Sequence, residues 1–136
     1  MSEDVEKIIR ESVCELQIDG SIWWTTKKRH NELDAKIFNQ GNMFNSVEAA
    51  EKERDRRNLL ARVNRFRAEK NDGWNPNWNR WQELKFCIYW SNETLIARPC
   101  DTFLGFNVFG YFKNCDDAER AIELFGDEIK RLYVEE

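Results

Sequence analysis

The stretch Asn42-Met43-Phe44-Asn45-Ser46-Val47-Glu48-Ala49-Ala50-Glu51-Lys52 returns 68 residues later as Gly110-Tyr111-Phe112-Lys113-Asn114-Cys115-Asp116-Asp117-Ala118-Glu119-Arg120. Each copy reads as a strand end, a capping residue (Ser46 or Asn114), an acidic first turn and a helix. A fixed internal period implies one supersecondary unit used twice, each copy expected to bury its apolar face against the other.

Outward from the second copy, Ala118, Ala121, Ile122, Phe125, Ile129 and Leu132 share one helix face, interrupted by Gly126. Before it, residues 84–90 predict a strand, Ser91-Asn92-Glu93 a hairpin turn, and residues 94–98 its partner, ended by Pro99. A further extended piece is expected over 103–112. In the first copy, residues 21–26 read as a strand, 27–31 as a turn and 35–38 as a second strand, with a helix from Val47 to Lys70. Val5, Ile8, Ile9, Val13 and Leu16 lie at spacings of three and four, predicting an amino-terminal helix over 3–16. The expected fold is α+β: tandem β-β-α repeats forming antiparallel sheet packed on helices, preceded by that helix. The boundaries are 1–19 for the helix, 20–70 for the first unit, 71–83 for a tryptophan-rich linker and 84–136 for the second unit.

Composition narrows the function classes. The chain has 136 residues, 41% hydrophobic and 34% charged, enough for one ordinary core. No apolar run reaches the roughly 20 residues of a membrane span, and the acidic Met1-Ser2-Glu3-Asp4 start is unlike a secretory signal, so a cytoplasmic protein with no membrane partner is expected. Cys14, Cys87, Cys100 and Cys115 lack CxxC spacing and accompany a single histidine, His30, which argues against a zinc site or a disulfide framework. No cofactor or metal is expected. Residues 1–70 carry 14 basic and 13 acidic side chains and residues 71–136 carry 7 and 12, so the net charge of −4 resides in the second half.

The residues Gly41-Asn42-Met43-Phe44 with Ser46-Val47-Glu48-Ala49-Ala50-Glu51, Gly73-Trp74-Asn75-Pro76-Asn77-Trp78, and Tyr111-Phe112 with Asp117-Ala118-Glu119-Arg120-Ala121 resemble those of a set of small bacteriophage and prophage proteins. The likeness covers roughly residues 20–136. It implies a viral protein acting in the cytoplasm of a host bacterium and brings no catalytic residues with it.

Three features bear on chemistry. The helix from Lys52 to Lys70 is rich in arginine, and Asn58, Arg62 and Arg65 fall close together on one side. Such a face can grip phosphates or an acidic protein surface, although a charged helix face is ordinarily just solvated. Trp74, Trp78 and Trp81 follow at spacings of four and three. Exposed, they would stack on bases or anchor a partner; buried, they would staple the joint between the copies, which is the favoured reading. Catalysis is poorly supported: the only imidazole sits in a charged turn, Asp116 and Asp117 are explained by a helix start, and Gly105 to Gly110 lacks the lysine and hydroxyl of a phosphate loop.

The sequence therefore leads to a non-enzymatic protein-binding module, an anti-defence inhibitor of a host bacterial protein such as a defence nuclease (the anti-CRISPR type). The alternative is a binder of nucleotide or nucleic acid, including a sequestered nucleotide signal, through the arginine helix and the tryptophans. The apolar stripe of residues 3–16 also offers a surface for a homodimer.

Overall fold

The computed structural model describes residues 3–25, 32–80, 82–100 and 107–135. The expected turn at 27–31 with His30, Trp81, and the 103–106 part of the expected extended piece lie outside the described residues. The fold is α+β, with a helix first. No helix among the described residues is long and apolar enough to cross a membrane. The chain divides into two compact units, Met1–Arg56 and Arg57–Glu136. That division falls inside a helix, α3 (Val47–Asn71), and not at residues 71–83.

The first unit opens with α1 (Glu3–Glu11), which is shorter than the helix expected over 3–16. The Ser12 hydroxyl donates to the Ile8 carbonyl at 2.7 Å and its N–H reaches the same oxygen at 3.0 Å. A serine folded back on the preceding turn competes with helix propagation. Cys14–Leu16 then form β1, where burial alternates with period two. The i, i+3 spacing of Val13 and Leu16 fits a helix as well as this strand, and the sequence alone extends the helix through it. With only Val5, Ile8 and Ile9 left on α1, the stripe proposed for a homodimer does not run through residues 3–16.

β1 is the middle of a three-stranded sheet of order β2-β1-β3, with β2 (Ile22–Trp24) and β3 (Met43–Phe44) both antiparallel to it. The segment expected as a second strand at 35–38 is instead the middle of a helix, α2 (Glu32–Asn39). Its end explains why. The Gly41 N–H reaches the Phe38 carbonyl at 2.8 Å and the Asn42 N–H reaches the Ile37 carbonyl at 3.0 Å. This paired 5→2 and 6→1 closure requires a left-handed residue, supplied by Gly41 at φ +72°. Ser46 then caps α3 by accepting the Ala49 N–H at 3.1 Å.

The second unit repeats that order with longer strands. β4 (Lys85–Ser91) and β5 (Thr94–Cys100) form a hairpin in continuous register from Lys85↔Cys100 to Ser91↔Thr94. Its two-residue turn, Asn92-Glu93, has positive φ at both positions, as the twist of the strands demands. Pro99 lies inside β5 and does not end it. It faces Phe86, whose N–H and carbonyl both point the other way, to Phe112 at 2.9 and 2.7 Å, so no donor is needed from Pro99. Phe112 thus occupies the place in this unit that Phe44, paired with Cys14, occupies in the first.

After Phe112 the chain enters α4 (Cys115–Ile129) and a closing π-helical turn (Lys130–Val134). Unlike Ser46, Asn114 makes no side-chain bond to the helix amides; its amide donates to Asp117 Oδ2 at 3.3 Å. Leu59 and Val63 of α3, Ile88 of β4, Phe109, Phe112, and Ala118, Ala121, Ile129 and Leu132 form one core. All of these residues lie in the unit Arg57–Glu136, and because Leu59 and Val63 belong to the helix of the first expected copy (20–70), that helix shares its core with the strand and helix of the second copy. Asn71, at the end of α3, donates its amide to the Tyr111 carbonyl at 2.8 Å and accepts the Lys113 N–H at 3.0 Å. Phe112 is thereby bracketed on the edge opposite β4.

Replacing Asn71 with Ala removes two part-buried hydrogen bonds made by a buried amide, and urea unfolding is expected to report a loss of about 1–3 kcal/mol, at about 0.5–1.5 kcal/mol for each bond. Asn71→Asp retains the acceptor for Lys113 and should lose less. The unequal caps give a second test by the same measurement. Ser46→Ala should cost about 1 kcal/mol, while Asn114→Ala should cost less than about 0.5 kcal/mol.

Candidate functional site

The arginine face of α3 is occupied by the chain's own oxygens. Arg62 forks onto Glu128 of α4, with Nη1 to Oε1 at 2.9 Å and Nη2 to the second carboxylate oxygen, and its Nε reaches the Asn58 carbonyl at 3.4 Å. Arg65 pairs with Glu69 one turn on at 3.4 Å, and Arg54 with Asp55 at 3.3 Å. The Arg67 guanidinium binds Asn64 Oδ1 at 2.8 Å and the Phe109 carbonyl, and burial lowers its pKa. It lies over Gly110, where a β-carbon would stand 2.6 Å from it and where φ is +71°. That glycine is therefore fixed by a close approach as well as by its backbone. Of the expected contact residues, Asn58, Arg62 and Arg65 do sit together on the exposed side of α3, but the fork needed for a phosphate is already filled at Arg62.

The tryptophan-rich segment is closed by a buried cation, not by a joint between copies. Lys85 is fully buried, and its Nζ donates to the carbonyls of Glu83 at 2.9 Å and Arg80 at 3.3 Å and stands 3.7 Å from the Glu83 carboxylate. It also lies 4.9 Å from the centre of the Trp78 ring, which meets Tyr111 edge-on at 4.8 Å. Trp74 is half-buried, and Trp81 is outside the described residues. Trp78, half-buried like Trp74, packs on Lys85 and Tyr111 within the unit Arg57–Glu136.

The exposed indoles lie elsewhere. Trp23 and Trp24 on β2 are 63% and 69% exposed, and Ile18 in the preceding turn projects fully into solvent. Ser21 and Thr25 use their backbones on β1, through Gln17 N–H to Ser21 O and Thr25 N–H to Val13 O, both 2.8 Å. Alternation then turns the N–H and C=O of Ile22 and Trp24 toward the outer edge of the sheet. By register, Trp24 shares a face with Cys14, and Trp23 shares the other with Glu15. The sequence did hold a signal for this pair: adjacent residues of a strand point to opposite faces, so Trp23-Trp24 on a thin sheet must leave an indole uncovered. Reading the segment only for its strand propensity missed it.

An open pocket of about 200 Å³ near the β4–β5 turn is lined by Trp90, Leu95, Ile122 and Gly126 together with Glu93, Thr94, Asp127 and Lys130. It is smaller than the roughly 300–1,000 Å³ of usual small-molecule sites, and its mixed charges converge on no single group. Comparison with protein-family models, with curated proteins and with solved structures finds no match. The functional reading therefore rests on the geometry.

The Arg62–Glu128 fork has a measurable signature. The hydrogen bond from Arg62 holds the Glu128 carboxyl below its usual value of 4.5, and the same bond raises Arg62. A depressed carboxyl contributes stability that is complete above the unfolded value and disappears as pH falls through the folded one. Both side chains are substantially exposed, so the contribution is about 0.2–1 kcal/mol. In urea titrations, wild type should exceed Glu128→Gln by that amount at pH 7, with the gap closing below pH 4.5 and narrowing in high salt.

Proposed function

We propose that the chain is a non-catalytic protein-binding module that engages its partner through the outer edge of β2, with Trp23 and Trp24 as anchors. One observation carries this: two adjacent indoles, 63% and 69% exposed, stand on a strand whose outer edge is paired by no other described strand. Tryptophan is the residue type most enriched where interface energy concentrates, because a buried indole removes about 150–250 Å² from water. An open strand edge adds unpaired backbone groups that an extended segment of another protein can meet. The likeness to small phage and prophage proteins favours a host bacterial protein, such as a defence nuclease, as the partner.

The nucleic-acid alternative draws on the same exposed indoles, which can stack on bases. It is the weaker reading because Arg54, Arg62, Arg65 and Arg67 are engaged within the chain, and a polyanion would have to displace those partners.

Retention from host lysate on the immobilised full chain separates the readings. Wild type is expected to retain a specific protein that Trp23→Ala/Trp24→Ala loses, each truncation weakening binding by about thirtyfold, or ~2 kcal/mol. Arg62→Ala/Arg65→Ala should retain it, with circular dichroism confirming that all baits are folded. Equal retention by the tryptophan variant, or recovery of polynucleotide released steeply by salt, would overturn the proposal.

A further inference from the structure

The β4–β5 hairpin buries a pair of sulfurs in contact with each other. Cys87 faces Arg98 across the ladder and Cys100 faces Lys85, so the two cysteines are diagonal neighbours on the same face of the hairpin. Their sulfurs approach to 3.3 Å, and both residues are buried, at 6% and 8% exposure. The other two cysteines are occupied differently. Cys14 Sγ donates to the Ser46 carbonyl at 3.4 Å and Cys115 Sγ to Glu119 Oε1 at 3.5 Å.

Diagonal positions normally stand about 7–8 Å apart between α-carbons, slightly beyond the roughly 4.4–6.8 Å that a disulfide bridges. The strong right-handed twist of a two-stranded ribbon shortens one diagonal, and the close sulfur contact identifies this diagonal as the shortened one. Contraction by about 1.3 Å would bring the sulfurs to bonding distance. Burial, and then the hydrogen bond with Cys100, push the Cys87 thiol up to about 12. Cys87 therefore rests as a thiol.

We propose that Cys87 and Cys100 form a reversible intramolecular disulfide when the chain meets hydrogen peroxide. One sulfur attacks a peroxide oxygen, breaking the O–O bond and becoming a sulfenic acid as the first water leaves. The second sulfur then forms the S–S bond by displacing the sulfenic oxygen as the second water. Two thiol protons and two electrons leave the protein, and the peroxide is reduced to two waters. The product covalently fixes β5 to β4, the strand that carries Phe86 and its pairing with Phe112. It is independent of any partner at β2.

The reduced full chain, treated with hydrogen peroxide, unfolded and alkylated, reports the outcome by mass spectrometry. The expected product is a monomer lighter by two hydrogens, with alkylation falling from four thiols to two, a cross-linked peptide joining Cys87 to Cys100, and full recovery after dithiothreitol. A Cys14→Ser/Cys115→Ser variant should lose both remaining thiols together without dimerising. Retention of unmodified Cys87 and Cys100 under conditions that oxidise Cys115, or their loss only as over-oxidised acids or intermolecular links, would overturn the proposal. The wild-type peptide map decides the matter even where a variant folds poorly.

Discussion

The second unit depends on Phe112 being held along both edges of its backbone. One edge exchanges two hydrogen bonds with Phe86 of β4, and the flanking carbonyl of Tyr111 and N–H of Lys113 are met by the single amide of Asn71. An asparagine side chain presents a donor and an acceptor, which is what a neighbouring strand would present. With its backbone satisfied, the residue can be wholly buried, and its ring enters the core near Phe66, centroids 6.5 Å apart. Phe66 in turn meets Phe125 edge-on at 5.9 Å. The end of α3, the start of β4 and the approach to α4 are thus tied at one residue, and the aromatic packing follows from that tie.

A second constraint acts on residues 72–80, which follow α3 and are rich in asparagine, glycine and proline. Burying an ammonium is costly unless every donor is met. Lys85 meets two carbonyls, a carboxylate and the face of Trp78. The Glu83 carboxylate also accepts the Asn77 N–H at 3.3 Å, so the loop closes around the cation. The face of Trp78 presented to Lys85 is spent on holding the fold. An indole used this way is a poor platform for a base, and this is why tryptophan spacing alone could not identify a recognition surface.

The parts legible in the sequence were those whose signal is local. Ser46 before an acidic turn, the period of the α4 apolar face and the presence of a hairpin turn at Asn92-Glu93 are legible, because capping, periodicity and turn chemistry act over a few residues, although the expected turn also took in Ser91, which pairs with Thr94 at the end of β4. The errors arose where two local signals compete. Cys14 to Leu16 satisfies both helical and strand spacing, and only pairing with β2 and β3 decides between them. The apolar pair Ile37-Phe38 reads as strand until Gly41 is recognised as a helix terminator. The site was less legible than the fold. Arg62 and Trp78 carry the right chemistry for binding, yet their partners, Glu128 and Lys85, lie 66 and 7 positions away, and no short window shows that both are engaged.

What distinguishes the two surfaces is the state they leave on binding. A guanidinium already forked onto a carboxylate must give up that pair before it can grip a phosphate, so the net gain is the difference between two similar interactions. The indoles of β2 begin in water and give up only their hydration, which is favourable by itself at about 25 cal/mol per Å². The same holds for the outward backbone groups of Ile22 and Trp24, which exchange water for a partner without breaking any bond of the sheet. Recognition is therefore better supported at the edge of β2, where contact adds to what the fold already has, than along α3, where it must first undo it.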